Sequence, residues 1–173
     1  MQFCRTELWD SELTWFTETP QLTECFQHTV LVYLPVLGLL ACLPLDIYNC
    51  LTSKSREVPW SARIVARLSL TLAASLLPVL QLILSDFTSS PVYTEDIAGP
   101  VLQFLSTVVL VLLTAASKHC GQVYSPAQFV FWGSAALCQA LSVINMALSG
   151  FQNINTANSI ILIINCIISL IML

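Results

Sequence analysis

Seven cysteines, two histidines and one acid inside an apolar run are the side chains of this sequence with chemistry to offer. A structural metal site needs about four ligands at matched spacing. His28 and His119 lie in segments that the hydropathy pattern places on opposite faces of a membrane, so they cannot share an ion. No serine, cysteine or acid has a base partner visible in the sequence, and there is no Gly-x-x-x-x-Gly-Lys-Ser/Thr loop to cradle nucleotide phosphates. The expectation is a chain that is not an enzyme, with no catalytic, cofactor-binding or metal residues. What the cysteines can do is pair. Cys4 and Cys25 lie in a polar N-terminal segment, and outside a cell a disulfide between them would persist. It would close a loop of about 20 residues, worth about 3 kcal/mol in the chain-entropy model; two free thiols are the alternative. Cys42, Cys50, Cys120, Cys138 and Cys166 lie in or near the membrane or on its reducing side and are expected to be small apolar packing residues.

Composition decides what must position these groups. Of the 173 residues 56% are apolar and 9% charged, against about 25% charged in an ordinary soluble domain. So few charges cannot cover a soluble surface, whereas a bilayer asks only that the ends of each crossing be polar. A net charge of −4 without a basic run gives no footing for nucleic acid. Residues 1–28 carry Glu7, Asp10, Glu12, Glu18 and Glu24 and lack the basic start and short apolar core of a signal peptide. The first apolar run must therefore act as its own insertion signal.

A hydrocarbon core about 30 Å thick needs roughly 20 apolar residues of helix. Five stretches come close: 29–50 with Pro35, Pro44 and Asp46 inside it, 64–84 with Pro78, 100–116, 129–148 and 154–173. The expected fold is all-α, a polytopic membrane helix bundle of five transmembrane helices over 29–173, preceded by an external segment 1–28. Lys54, Arg56, Arg63 and Arg67 follow the first span and Lys118 the third, so five of the six basic residues fall on one face. The positive-inside rule makes that face cytoplasmic, with the N-terminus outside, the C-terminus inside and Trp60 as an interfacial anchor.

Asp46 is the acid well inside a span. Pairing with Arg67 or Lys118 and placement at the interface are both open to it, since the span boundary can be drawn at Leu45. Gln81, Gln103, Gln139, Asn145 and Asn165 also lie at membrane depth, but no repeat or charge pair organises them into a carrier or channel pathway. Small residues at four-residue spacing, Ser134 with Cys138 and Ser142, Ala136 with Ala140, and Ser69 with Ala73, predict close helix packing. The chain stops at Leu173 directly after an apolar run, with no polar flank. That end predicts a fragment or truncated product continuing into a cytoplasmic linker.

The pieces Phe3-Cys4, Leu8-Trp9-Asp10, Thr14-Trp15, Pro20, the block over residues 25–32, Pro35 and Ala41-Cys42-Leu43-Pro44 resemble the start of the long multidrug-resistance-associated proteins, a subfamily of ABC transporters. Lys118 to Gly121, Phe131-Trp132, Ala135 and Cys138 resemble a later part of the same N-terminal five-helix domain, often called TMD-zero. The resemblance implies an external N-terminus, a role for Cys4 and Cys25 in the external segment, and a cytoplasmic link to a transporter core. It also implies a non-catalytic role in folding, trafficking and partner contact within an exporter of organic anions and xenobiotics. ATP and Mg would be cofactors of the parent transporter and not of this chain. The implied partners are the lipid bilayer and a transporter core or another membrane protein. The implied location is the plasma membrane, with the vacuole or another endomembrane as alternatives. An independent five-span protein that regulates or accompanies another transporter is the competing reading.

Overall fold

Thr23 ends the polar segment by capping the first long helix: its hydroxyl accepts from the Phe26 N–H at 3.3 Å, satisfying one of the amide groups that a helix start leaves free. The computed structural model describes residues 4, 7–16, 21–53, 61–88, 94–121, 125–148 and 156–173. Among them are a short α1 (Ser11–Trp15), then α2 (Glu24–Thr52), α3 (Ala62–Thr88), α4 (Thr94–His119), α5 (Pro126–Leu148) and α6 (Thr156–Met172), with no strand. Of the residues expected to set orientation, Arg63, Arg67 and Lys118 are described, whereas Lys54, Arg56 and Trp60 lie outside the described residues.

Four of these helices contain stretches long and apolar enough to cross a membrane, Glu24–Thr52, Ala62–Leu84, Ile97–His119 and Pro126–Leu148. The fifth apolar helix, Ser159–Met172, is shorter. Leu37, Leu76, Leu112, Leu137 and Ile171 project from the bundle, as side chains facing lipid do. Pro35, Pro44, Pro78 and Pro100 lie inside helices without ending them. Buried hydroxyls turn back on their own helices: Thr71 donates to the Arg67 carbonyl at 2.7 Å and Ser106 to that of Gln103 at 2.8 Å. In a medium without water this is how a lone hydroxyl is satisfied.

The helix contacts close a circle. α2 packs against α5, α5 against α6, α6 against α3, α3 against α4, and α4 against α2. Where α2 crosses α5 the approach is tight: a Cβ on Gly38 would stand 3.1 Å from a Val130 methyl carbon. Half of the ring is filled by Leu39, Ala74, Leu110, Ala127 and Phe131, which form its apolar core with Trp132 and Ala135 at the margin. These residues come from the later part of α2 and α4, the middle of α3 and the first turns of α5. The opposite half, toward the start of α2 and the end of α5, is not filled in this way.

Candidate functional site

A cavity of about 550 Å³ occupies that opposite half, and all five long helices contribute to its wall. Gln81 of α3, Gln103 of α4, Gln139 and Asn145 of α5 and Asn165 of α6 all line it. These are the five carboxamides that sequence position alone left unorganised. Two of them are tied into the ring: Asn145 Oδ1 accepts from the Leu22 N–H at 2.8 Å, and Gln139 Oε1 accepts at 3.1 Å from the Ser169 hydroxyl, which also donates to the backbone carbonyl of Asn165 at 2.9 Å. Facing them are Leu31 and Pro35 of α2 and the T-shaped pair Phe131 and Trp132, with ring centroids 5.3 Å apart. Glu24, Gln27 and His28 stand at the end where α2 begins, and both Glu24 and His28 are exposed. No described lining residue is Lys or Arg.

Outside this end, the N-terminal segment folds back on α2. Cys4 and Cys25 lie at disulfide distance, with Cα atoms 5.6 Å apart. Trp9 meets Phe26 edge to face at 5.4 Å, and the Thr23 hydroxyl donates to the Leu8 carbonyl at 2.8 Å. Among the described residues a cysteine pair, an aromatic contact and a hydrogen bond thus hold the segment to the first turns of α2.

At the far end of the ring the C-termini of α2 and α4 meet the N-terminus of α5. Asp46 is 4% exposed, and one of its carboxylate oxygens accepts the Ser125 hydroxyl proton, while Oδ1 is buried without a hydrogen-bond partner among the described residues. Ser125 also caps α5 by accepting the Gln128 N–H at 3.2 Å, and the Gln128 side chain reaches across to Thr114 of α4 at 2.8 Å. Cys50 and Cys120 sit beside this group at disulfide distance, Cα atoms 5.3 Å apart, and the Ser53 hydroxyl donates to the Cys120 carbonyl at 2.7 Å. The expectation that Cys50 and Cys120 are packing residues is corrected here: parallel helices α2 and α4 end at the same level, and that register brings the two thiols together. Asp46 is likewise met by a serine and not by Arg67 or Lys118.

The sequence profile described as the ABC transporter TMD0 domain matches residues 2–163. The chain belongs to this family. Over 43 residues of its N-terminal region this TMD0 domain is 44% identical to ATP-binding cassette sub-family C member 3 of Rattus norvegicus and 42% identical to the protein of that name from Mus musculus. Each match covers 25% of this chain and 3% of the relative, so the matched stretch is a small part of those proteins.

Within the TMD0 domain the small-residue ridges divide. Cys138 and Ala136 are buried in the ring and Ser142 lines the cavity, whereas Ser69 and Ala73 are exposed on the outer side of α3. Among the described residues no three His, Cys, Asp or Glu side chains gather at metal-binding distance. The participants that sequence reasoning missed are Ser125, Ser106, Thr107 and Trp132. A signal for some of them exists: Trp132, Ala135, Gln139, Ser142 and Met146 recur at helical spacing on one stripe of α5, and Gln103, Ser106 and Thr107 share a face of α4. A polar stripe on an otherwise apolar span faces the bundle interior.

Proposed function

We propose that this chain serves as the non-catalytic N-terminal membrane domain of an ABC-type exporter of organic anions and xenobiotics, acting in folding, trafficking and contact with the transporter core. The observation that carries the reading is the family match over nearly the whole chain, on a ring of helices whose outer surface is apolar. Arg63 and Arg67 near the start of α3 and Lys118 in the last turn of α4 support an orientation with those ends cytoplasmic and the Cys4 segment outside; the plasma membrane is the location that we propose. In that arrangement α6 ends on the cytoplasmic side, the side from which a transporter core would be joined.

The test is a graft. Residues 1–173 are joined to a sub-family C transporter from which its own first five-helix domain has been removed, and surface delivery and transport are measured. Recovery of both above the truncated transporter is the expected outcome. A graft that reaches the surface no better than the truncated transporter, while residues 1–173 expressed alone reach it and bind an unrelated membrane protein, would replace this reading with the independent regulator.

A further inference from the structure

We propose that the cavity inside the helix ring is a binding site for an uncharged, hydroxyl-bearing amphiphile of the monoacylglycerol class. Its volume of about 550 Å³ lies within the roughly 300–1,000 Å³ range of small-molecule sites, and would otherwise hold roughly 18 waters at about 30 Å³ each. Water suits only part of the wall. Against Leu31, Pro35 and Phe131 it finds no partner, while Gln81, Gln103, Gln139 and Asn165 carry carbonyl acceptors and amide donors elsewhere on the wall. An occupant with an acyl chain and a diol head answers both walls at once.

The lining also selects against charge. Apart from the buried Cys138 thiol, the ionisable groups on its described lining are Glu24 and His28, both exposed at the mouth, and no described lining residue is Lys or Arg. A phosphate or carboxylate carried inward would pass Glu24 and then lie among neutral amides with no counter-charge, which is costly inside a membrane. Among the described lining residues a cation would find no acid beyond Glu24, since Asp46 lies in the Ser125 group at the far end of the ring. Carboxamides, being donor and acceptor together, match hydroxyls without regard to their orientation. Ser106 and Thr107 add hydroxyls on α4, though both already donate to carbonyls of their own helix and are left as acceptors.

The experiment compares two probes that share a tail, monodecanoylglycerol and decanoyl lysophosphatidic acid, on the 173-residue chain in phosphatidylcholine nanodiscs. Trp132 reports directly in a variant with Trp9, Trp15 and Trp60 replaced by phenylalanine, and native mass spectrometry of the unmodified chain counts bound molecules. The expected result is a saturable change in Trp132 emission and a one-molecule adduct with monodecanoylglycerol, at least tenfold weaker with the phosphate probe. Q103L/Q139L is expected to weaken binding at least tenfold, and Gln81→Leu on α3 gives the same reading by a separate helix where the double variant does not fold. A non-saturating response, equal responses to both probes, or binding unchanged in the carboxamide variants would each overturn the proposal.

Discussion

Two cysteine pairs at opposite ends of one ring allow orientation to be read by thiol chemistry. With the start of α2 outside, Cys4 and Cys25 face an oxidising compartment and Cys50 and Cys120 a reducing one, although both pairs stand at bonding distance. Intact cells are therefore expected to hold the first pair bridged and the second as a dithiol. The perturbations are C4A/C25A and C50A/C120A. A bridge across a sequence separation of 21 stabilises by about 3.3 kcal/mol through loop-closure entropy, and one across 70 by about 4.4 kcal/mol. At about 2–4 °C per kcal/mol for a chain of this size, C4A/C25A is expected to lower the melting temperature in detergent by about 10 °C. C50A/C120A is expected to leave it nearly unchanged in protein kept reduced, and to lower it by about 13 °C relative to air-oxidised protein.

The assay is alkylation of living cells followed by denaturation and maleimide-polyethylene glycol labelling, with and without reductant. Two added labels that appear only after reduction, and vanish in C4A/C25A, are the expected outcome. If reduction instead uncovers Cys50 and Cys120 while Cys4 and Cys25 react at once, the orientation is inverted. If both pairs are bridged in cells, the compartment argument fails even where the geometry holds.

Other consequences follow from single contacts. Ser125→Ala removes both the cap of α5 and the donor to a buried carboxylate, and is expected to cost about 3 kcal/mol in thermal unfolding. Asp46→Leu removes the unpartnered oxygen with the charge and leaves the cap, so it is expected to cost less than about 1 kcal/mol or to stabilise; the opposite ranking would show that the acid holds the ring ends together. Gly38→Leu is expected to destabilise by about 2 kcal/mol, with partial rescue by Val130→Ala, since the Val130 methyl is what a side chain there would meet. Asn145→Leu strands the Leu22 N–H and is expected to cost about 1–2 kcal/mol, read as faster amide exchange at the start of α2.

The helical membrane bundle is legible in the sequence because its cause is local: long apolar runs with so few charges can be accommodated by little except helices in lipid. The site is less legible because its cause is not local. Gln81, Gln103 and Asn165 are recognisable as polar groups at membrane depth, yet nothing within one helix says which neighbour it will face. The α2 contacts with α4 and α5, and that of α3 with α6, join helices that are not consecutive, so loop order does not supply them. Cys50 and Cys120 fail for the same reason. Each reads as an isolated thiol, and only the common level at which α2 and α4 end makes them a pair.

A ring of five helices also explains why polar side chains survive at that depth. A helix surrounded by others buries all its faces and has to be apolar or small on each, while a helix in a ring presents one stripe to lipid, two flanks to neighbours and one stripe to the axis. The axial stripe is the one place where Gln139 of α5 and Gln103 of α4 can stand without meeting lipid, and the lipid stripes carry Leu137 and Leu105 instead. Where large side chains such as Leu39, Leu110 and Phe131 meet across the axis the ring closes into a core; where amides take their places it stays open. The axial positions therefore decide between core and cavity. Replacing Gln103 and Gln139 together by leucine is expected to shrink the cavity and raise the melting temperature, since buried apolar contact replaces polar groups that lack full partners. A lower melting temperature in that variant would mean that the amides hold the ring together and do not merely line it.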